Sequence, residues 1–167
     1  MEKKEESTNS FLTFKLGEEE FGAHVSQVLN ILDMTKITDV PKSPDYMKGV
    51  INLRGTVLPV IDTRIKFSMS ETEHSTNTCI IVLDLELDGE PVNIGAIVDE
   101  VVSVVDIEES QVEPPPSIGN KYKSEFITGM AKIEDRFVML LDMQKVLNEQ
   151  EKVDIANASK INETTEA

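Results

Sequence analysis

The sequence predicts a mainly β chain built from two related small β-barrels with short helices. Three observations carry that expectation. Residues 49–62 lie on residues 129–142 at an offset of 80; glycine opens both stretches, aspartate closes both, and the apolar positions match nearly throughout. Residues 21–29 lie on residues 94–102 at an offset of 73, and matching pieces in the same order mark repeated units. Short apolar runs alternate with turn residues, among them Asp88-Gly89, a strong two-residue hairpin signal.

The elements follow in order. Residues 1–10 are polar and charged and are expected as a flexible arm. Phe11 to Leu16 reads as a strand, Gly17-Glu18-Glu19-Glu20 as a turn, and Phe21-Gly22-Ala23 as a returning strand. Val25, Val28, Leu29 and Leu32 recur at helical spacing and predict a short amphipathic helix. Pro41 and Pro44 punctuate a loop before a hairpin over 49–62 that turns at Arg54-Gly55-Thr56. Pro59 marks its second run as an edge strand or a bulge. Residues 68–77 hold one apolar residue and read as the linker. Strands are expected from Cys79 and from Val92, a β-branched stretch over 98–105, a long loop from Pro114, and a hairpin over 126–141. Residues 143–148 read as a helix and 151–167 as a flexible tail. The folded region is therefore 11–150, with a first barrel at about 11–67, a second at about 78–142, and swapped elements between them.

Composition narrows the function. Of 167 residues, 31 are acidic and 16 basic, a formal net charge of −15. That balance speaks against nucleic acid, whose binding needs a basic face, and against an anionic membrane surface. No run approaches the ~20 apolar residues that span a bilayer, and the N-terminus lacks the apolar core of a signal peptide. The cytoplasm is the expected compartment. A single cysteine, Cys79, excludes an internal disulfide and a multi-thiolate metal site.

No phosphate-binding G-x-x-x-x-G-K-[ST] loop, no G-x-S-x-G and no histidine box occurs. Asp62 and Asp142 could form the acid pair of a hydrolase, but the repeat places both where a hairpin ends and a helix begins. Aspartate there accepts hydrogen bonds from free helix N–H groups, worth about 1 kcal/mol. Neither a cofactor nor a metal is expected. Arg54 is the one charge within 50–61, at the tip of a tight turn, and arginine is favoured at interface hot spots.

The stretch Gly49-Val50-Ile51-Asn52-Leu53-Arg54-Gly55-Thr56-Val57-Leu58-Pro59-Val60-Ile61-Asp62 resembles the most specific motif of the CheW family of chemotaxis adaptors. Gly17-Glu18-Glu19-Glu20-Phe21-Gly22, Arg64-Ile65-Lys66-Phe67, Val98-Asp99-x-Val101 and Phe126-Ile127-Thr128-Gly129 extend the match over about residues 11–149. The resemblance implies two intertwined five-stranded β-barrels with a hydrophobic core between them, and no catalysis. It implies an adaptor between the cytoplasmic tips of methyl-accepting chemotaxis receptors and the regulatory domain of the histidine kinase CheA, recruited to membrane-associated receptor arrays without inserting into the membrane. Carried over by motif position, the receptor face is Val28, Asn30, Arg54, Val101 and Val104. One kinase face is Ile37, Val40 and Gly49; a second is near Glu113 and Ile118. Family members often carry glutamate in a V-x-E-I segment, which here reads Val28-Leu29-Asn30-Ile31. The chain has no room for a phospho-receiver or an ATP-binding domain, so a stand-alone adaptor is expected. A CheW-like scaffold of a receptor-kinase pathway other than chemotaxis is the alternative.

Overall fold

The computed structural model describes residues 9–71, 73–114 and 126–166, with 159–166 as helical backbone only. The strands are β1 (Ser10–Leu16), β2 (Glu19–His24), β3 (Val28–Asp33), β4 (Met47–Leu53), β5 (Thr56–Asp62), β6 (Cys79–Leu87), β7 (Glu90–Val98), β8 (Glu100–Asp106), β9 (Val112–Glu113), β10 (Ile127–Ile133) and β11 (Arg136–Leu141). Two α-helices, α1 (Thr63–Lys66) and α2 (Glu149–Glu166), complete the set. The strands form a six-stranded sheet, β8-β1-β2-β11-β10-β9, and a five-stranded sheet, β3-β6-β7-β5-β4. The chain passes from the first sheet to the second after β2 and returns after β7, so the two units are intertwined.

The repeat read from sequence is a repeat of register. At the offset of 80, Val50↔Pro59 in β4–β5 becomes Met130↔Met139 in β10–β11, and both hairpins shift register at the same place, between Met47/Gly49 and between Ile127/Gly129. At the second offset, the parallel pair Val60↔Gly95 becomes Leu140↔Gly22. The glycines are required there: a Cβ on Gly95 would lie 2.8 Å from Ile80, and one on Gly22 3.2 Å from Val138. The correspondence reaches the edges. β9 pairs with β10 through Met130↔Glu113, and the same place beside β4 holds the single bridge Thr38↔Val50.

Three apolar clusters follow. Ile51, Leu58, Val60, Ile80, Val82 and Ile97 fill the five-stranded unit. Ile107, Ala131, Val138 and Leu140 fill the six-stranded one, with Ala131, Val138 and Leu140 the repeat equivalents of Ile51, Leu58 and Val60. The largest cluster includes Phe14, Leu16, Ile61, Ile81, Leu83, Ile94, Leu141 and Leu147 from both sheets. Each such side chain contributes about 1.5–3 kcal/mol when fully buried.

Four expectations change. Residues 25–32 are not a helix: Val25–Gln27 is one 3-10 turn and β3 follows. Leu29 sits at the register shift between Val28 and Asn30; a bulge sets two neighbours out of alternation and so imitates helical spacing. β5 is internal, between β7 and β4, with Pro59 tolerated because pairing with β7 begins only at Val60. The helix expected over 143–148 is a 3-10 turn at Met143–Lys145. The stretch expected as a loose tail continues as α2. Lys152, 1% exposed, donates from Nζ to the Glu86 carbonyl at 2.9 Å, and Ile155 and Ala158 are buried. Glu151 of α2 pairs with Lys66 at 3.1 Å. Burial, and then the charges of Glu151, Asp154 and Asp45, push the Tyr46 hydroxyl up to about 12.

Candidate partner-docking surfaces

β3 and β8 are the edge strands where the two sheets meet, and they occupy equivalent places in the repeat. Both carry the same irregularity: β3 skips Leu29 against β6, and β8 skips Val102 against β1. The skipped residues and their neighbours stay in solvent: Leu29 is 54% exposed, Ile31 43%, Val102 39% and Val104 61%. Contiguous exposed apolar surface on a folded chain marks an interaction site. A groove of about 310 Å³ runs here, lined by Leu12, Val25, Val28, Leu29, Asn30, Ile31 and Val104.

The structure thus brings Val28, Asn30 and Val104 together. Val101 is half-buried and packs against the shared core, as Val28 does. Arg54 does not line the groove. It sits exposed on the β4–β5 turn with φ of 55°, and the Asn52 Oδ1 atom accepts the Gly55 N–H at 2.8 Å to hold that turn. Among the described residues Arg54 has no ion-pair partner. Leu29, Ile31 and Val102 were missed from sequence; the signal was an apolar pair astride a bulge.

The second set is divided differently. Ile37 is half-buried and lines a cleft of about 320 Å³ with Met34, Thr35, Asp39, Lys48 and His74. Val40 is 6% exposed and belongs to the core. Gly49 is buried with φ of 147°, and a Cβ there would stand 2.1 Å from the Thr38 carbonyl oxygen. Its place is to let the edge segment bridge to β4; it offers no side chain. Glu113 is exposed on β9, the repeat equivalent of Thr38, so the two kinase faces implied by resemblance occupy equivalent edges of the two sheets. Ile118 lies outside the described residues.

Charged groups brace the ends of the sheets. Arg64 of α1 donates from Nε and Nη2 to both Asp99 carboxylate oxygens, the shortest at 2.6 Å, and Asp99 Oδ2 also accepts the Gly17 N–H at 2.7 Å. Burial alone would push the Asp99 carboxyl up; the Arg64 hydrogen bonds, the Gly17 N–H and the Arg64 charge outweigh it and hold the carboxyl below the usual range. The same hydrogen bond raises Arg64. In the repeat, Gly17 corresponds to Glu86 and Arg64 to Gln144. There a neutral amide does the work: Gln144 Oε1 accepts the Glu86 N–H at 2.9 Å and its Nε2 donates to the Glu86 carbonyl at 2.6 Å.

Asp62 and Asp142 are caps. Asp62 accepts the N–H groups of Arg64 and Ile65 at the start of α1, and Asp142 accepts that of Gln144. They belong to different sheets, and Asp142 also accepts from Gln27 Nε2 at 3.0 Å. Burial raises the Cys79 thiol, the opposite of what a nucleophile needs. Among the described residues no three His, Cys, Asp or Glu side chains are grouped to hold a metal ion, and no helix is long and apolar enough to cross a membrane.

A family model described as the CheW-like domain matches residues 10–151. The chemotaxis protein CheW of Klebsiella aerogenes is 35% identical over 150 residues, covering 90% of this chain and 88% of that protein. The chemotaxis protein CheW of Bacillus subtilis is 34% identical over 139 residues, covering 83% and 86%. The crystal structure of the scaffolding protein TtCheW from Thermoanaerobacter tengcongensis is similar with a TM-score of 0.74 and 30% identity, covering 86% of this chain and 97% of that one. The paired sheets, the register-true repeat and these likenesses agree, and the chain belongs to the CheW-like domain family.

Proposed function

We propose that this protein is a non-enzymatic chemotaxis adaptor that couples the cytoplasmic tips of chemoreceptors to the histidine kinase CheA from the cytoplasm. The observation that carries the proposal is the apolar groove between β3 and β8, in a chain whose relatives are named chemotaxis protein CheW. A groove of this kind accepts the apolar ridge of a partner helix. Arg54, held on a rigid turn, is proposed to extend the receptor contact beyond the groove. The kinase would engage the edge around Ile37, and the equivalent edge at Glu113. Gly49 and Val40 support the first of these edges from beneath. Each contact can be modest, because linking them in an array raises effective concentration.

The test is a three-component assay containing this protein, a chemoreceptor signalling fragment and CheA, with kinase autophosphorylation as the readout. Stimulation only in the presence of all three is the expected result. Binding to neither partner would overturn the proposal. Arg54→Ala is expected to weaken receptor binding by a hot-spot amount, about 2 kcal/mol; unchanged affinity in a titration would remove Arg54 from the receptor face.

A further inference from the structure

We propose that Asn30 gives the docking groove its polarity: it selects a helix that presents a neutral hydrogen-bond acceptor, the amide oxygen of Gln or Asn, and it fixes which way that helix runs. The inference rests on the reading of the groove as a receptor-docking site.

The apolar part of this surface carries little direction. Across the repeat, Val28, Leu29 and Ile31 of β3 correspond to Val101, Val102 and Val104 of β8. Apolar contact is non-directional, so a surface so nearly symmetric accepts an apolar ridge in either orientation. Asn30 breaks the symmetry. Among the groove-lining residues it is the one polar side chain, and its counterpart on β8 is the smaller Ser103.

The sense of its hydrogen bonding is set by its own backbone. Asn30 Oδ1 accepts the Ile31 N–H at 2.8 Å. A side-chain amide has one acceptor oxygen and two N–H donors; with the oxygen engaged, the NH2 group is what faces a partner. The glutamate that the family resemblance leads one to expect here would accept only. This chain therefore inverts the demand, from a donor or cation on the partner to an acceptor. A helix satisfies its own backbone carbonyls, so the acceptor is a side chain. A formal net charge of −15 disfavours a carboxylate, which leaves a neutral amide. One polar pair inside an apolar contact fixes register and orientation, as a single buried asparagine does in coiled coils.

The probe is the cytoplasmic tip fragment of a chemoreceptor encoded in the same genome, titrated against the full chain. Asn30→Asp, the same shape with acceptors only, is expected to weaken binding about tenfold or more. Asn30→Leu is expected to lose a few-fold in affinity and, in addition, its directional preference. That preference is read by oxidative cross-linking of a single cysteine at one end of the receptor contact to Leu29→Cys or Val102→Cys. The native Cys79 is buried. One of the two sites is expected to dominate with Asn30 in place, and both to react alike in Asn30→Leu. Tighter binding by Asn30→Asp would show a donor on the partner and overturn the proposal, as would affinities and cross-links indifferent to residue 30. No binding by the wild-type chain would overturn the docking reading itself, a result distinct from binding that ignores residue 30.

Discussion

At the tip of the β4–β5 hairpin Arg54 has a φ of 55°, and at the tip of β10–β11 Glu134 has one of 57°. The backbone is the same; the chemistry is not. Arg54 points into solvent with no ion pair among the described residues. On the other tip Arg136 is held between Glu134, at 3.8 Å, and Glu20, at 2.9 Å from Oε1. Glu20 is 6% exposed, and its Oε2 has no hydrogen-bond partner among the described residues. One hairpin therefore keeps its arginine available, and the other uses an arginine to neutralise a buried carboxylate. Duplication preserved what the backbone geometry demands, the glycines and the capping aspartates, and left the turn residues free to take up different tasks.

The comparison is most sharply tested at the opening glycines. Gly49→Ala places a Cβ 2.1 Å from a backbone oxygen at a φ of 147°, and is expected to cost more than about 3 kcal/mol in a denaturant titration. Gly129→Ala meets the Val112 side chain at 2.7 Å, which can shift, and is expected to cost about 1–2 kcal/mol. Equal losses would break the distinction between a backbone clash and a side-chain one.

Next come the arginines. Arg136→Ala leaves the Glu20 carboxylate buried without its cation and is expected to destabilise the chain by about 2–3 kcal/mol. Arg54→Ala is expected to stay within about 0.5 kcal/mol of wild type in stability, whatever it does to docking. A matched loss in both would mean that Arg54 is structural too.

The smallest effect separates the two braces. The Asp99 carboxyl is depressed in the folded state, so its contribution is complete above its unfolded pKa, about 3.9, and is lost as pH falls through the lower folded value. The wild type is expected to lose stability over that window, and Asp99→Asn to show a flatter dependence there. Gln144→Ala, which removes the neutral brace at the equivalent position, is expected to lower stability by about 1 kcal/mol with the wild-type pH dependence retained. An unchanged acid limb in Asp99→Asn would remove the Arg64–Asp99 pair as its source.

Much of this was legible in the sequence because the repeat preserves spacing. The offsets of 80 and 73 give the paired strands, their register and the capping places of Asp62 and Asp142 before any coordinates. The parts that were not legible have physical causes. A bulge at Leu29 makes an edge strand look like a helix turn. α2 hides because one of its buried positions is a lysine, whose methylene stem packs while Nζ reaches a carbonyl. Pro59 suggests an edge because its missing N–H is harmful only where a neighbour asks for it, and β7 pairs one residue later. The groove itself joins residues of β3 to Val104 of β8, a closeness created by crossing between sheets and invisible to any local pattern.

That crossing also bears on how the chain is made. β2 finds its parallel neighbour in β11, through pairs such as Glu20↔Val138. A ribosome adding about 5–20 residues per second needs roughly 6–24 s to travel between those partners. Until then Phe21 and Ala23 have half of their sheet missing, while the five-stranded unit, whose strands all lie between Val28 and Val98, can already assemble. The nascent protein is thus expected to expose a sticky, unfinished edge late in synthesis, and its yield in the cell to depend on how well chaperones cover residues 10–24 during that wait.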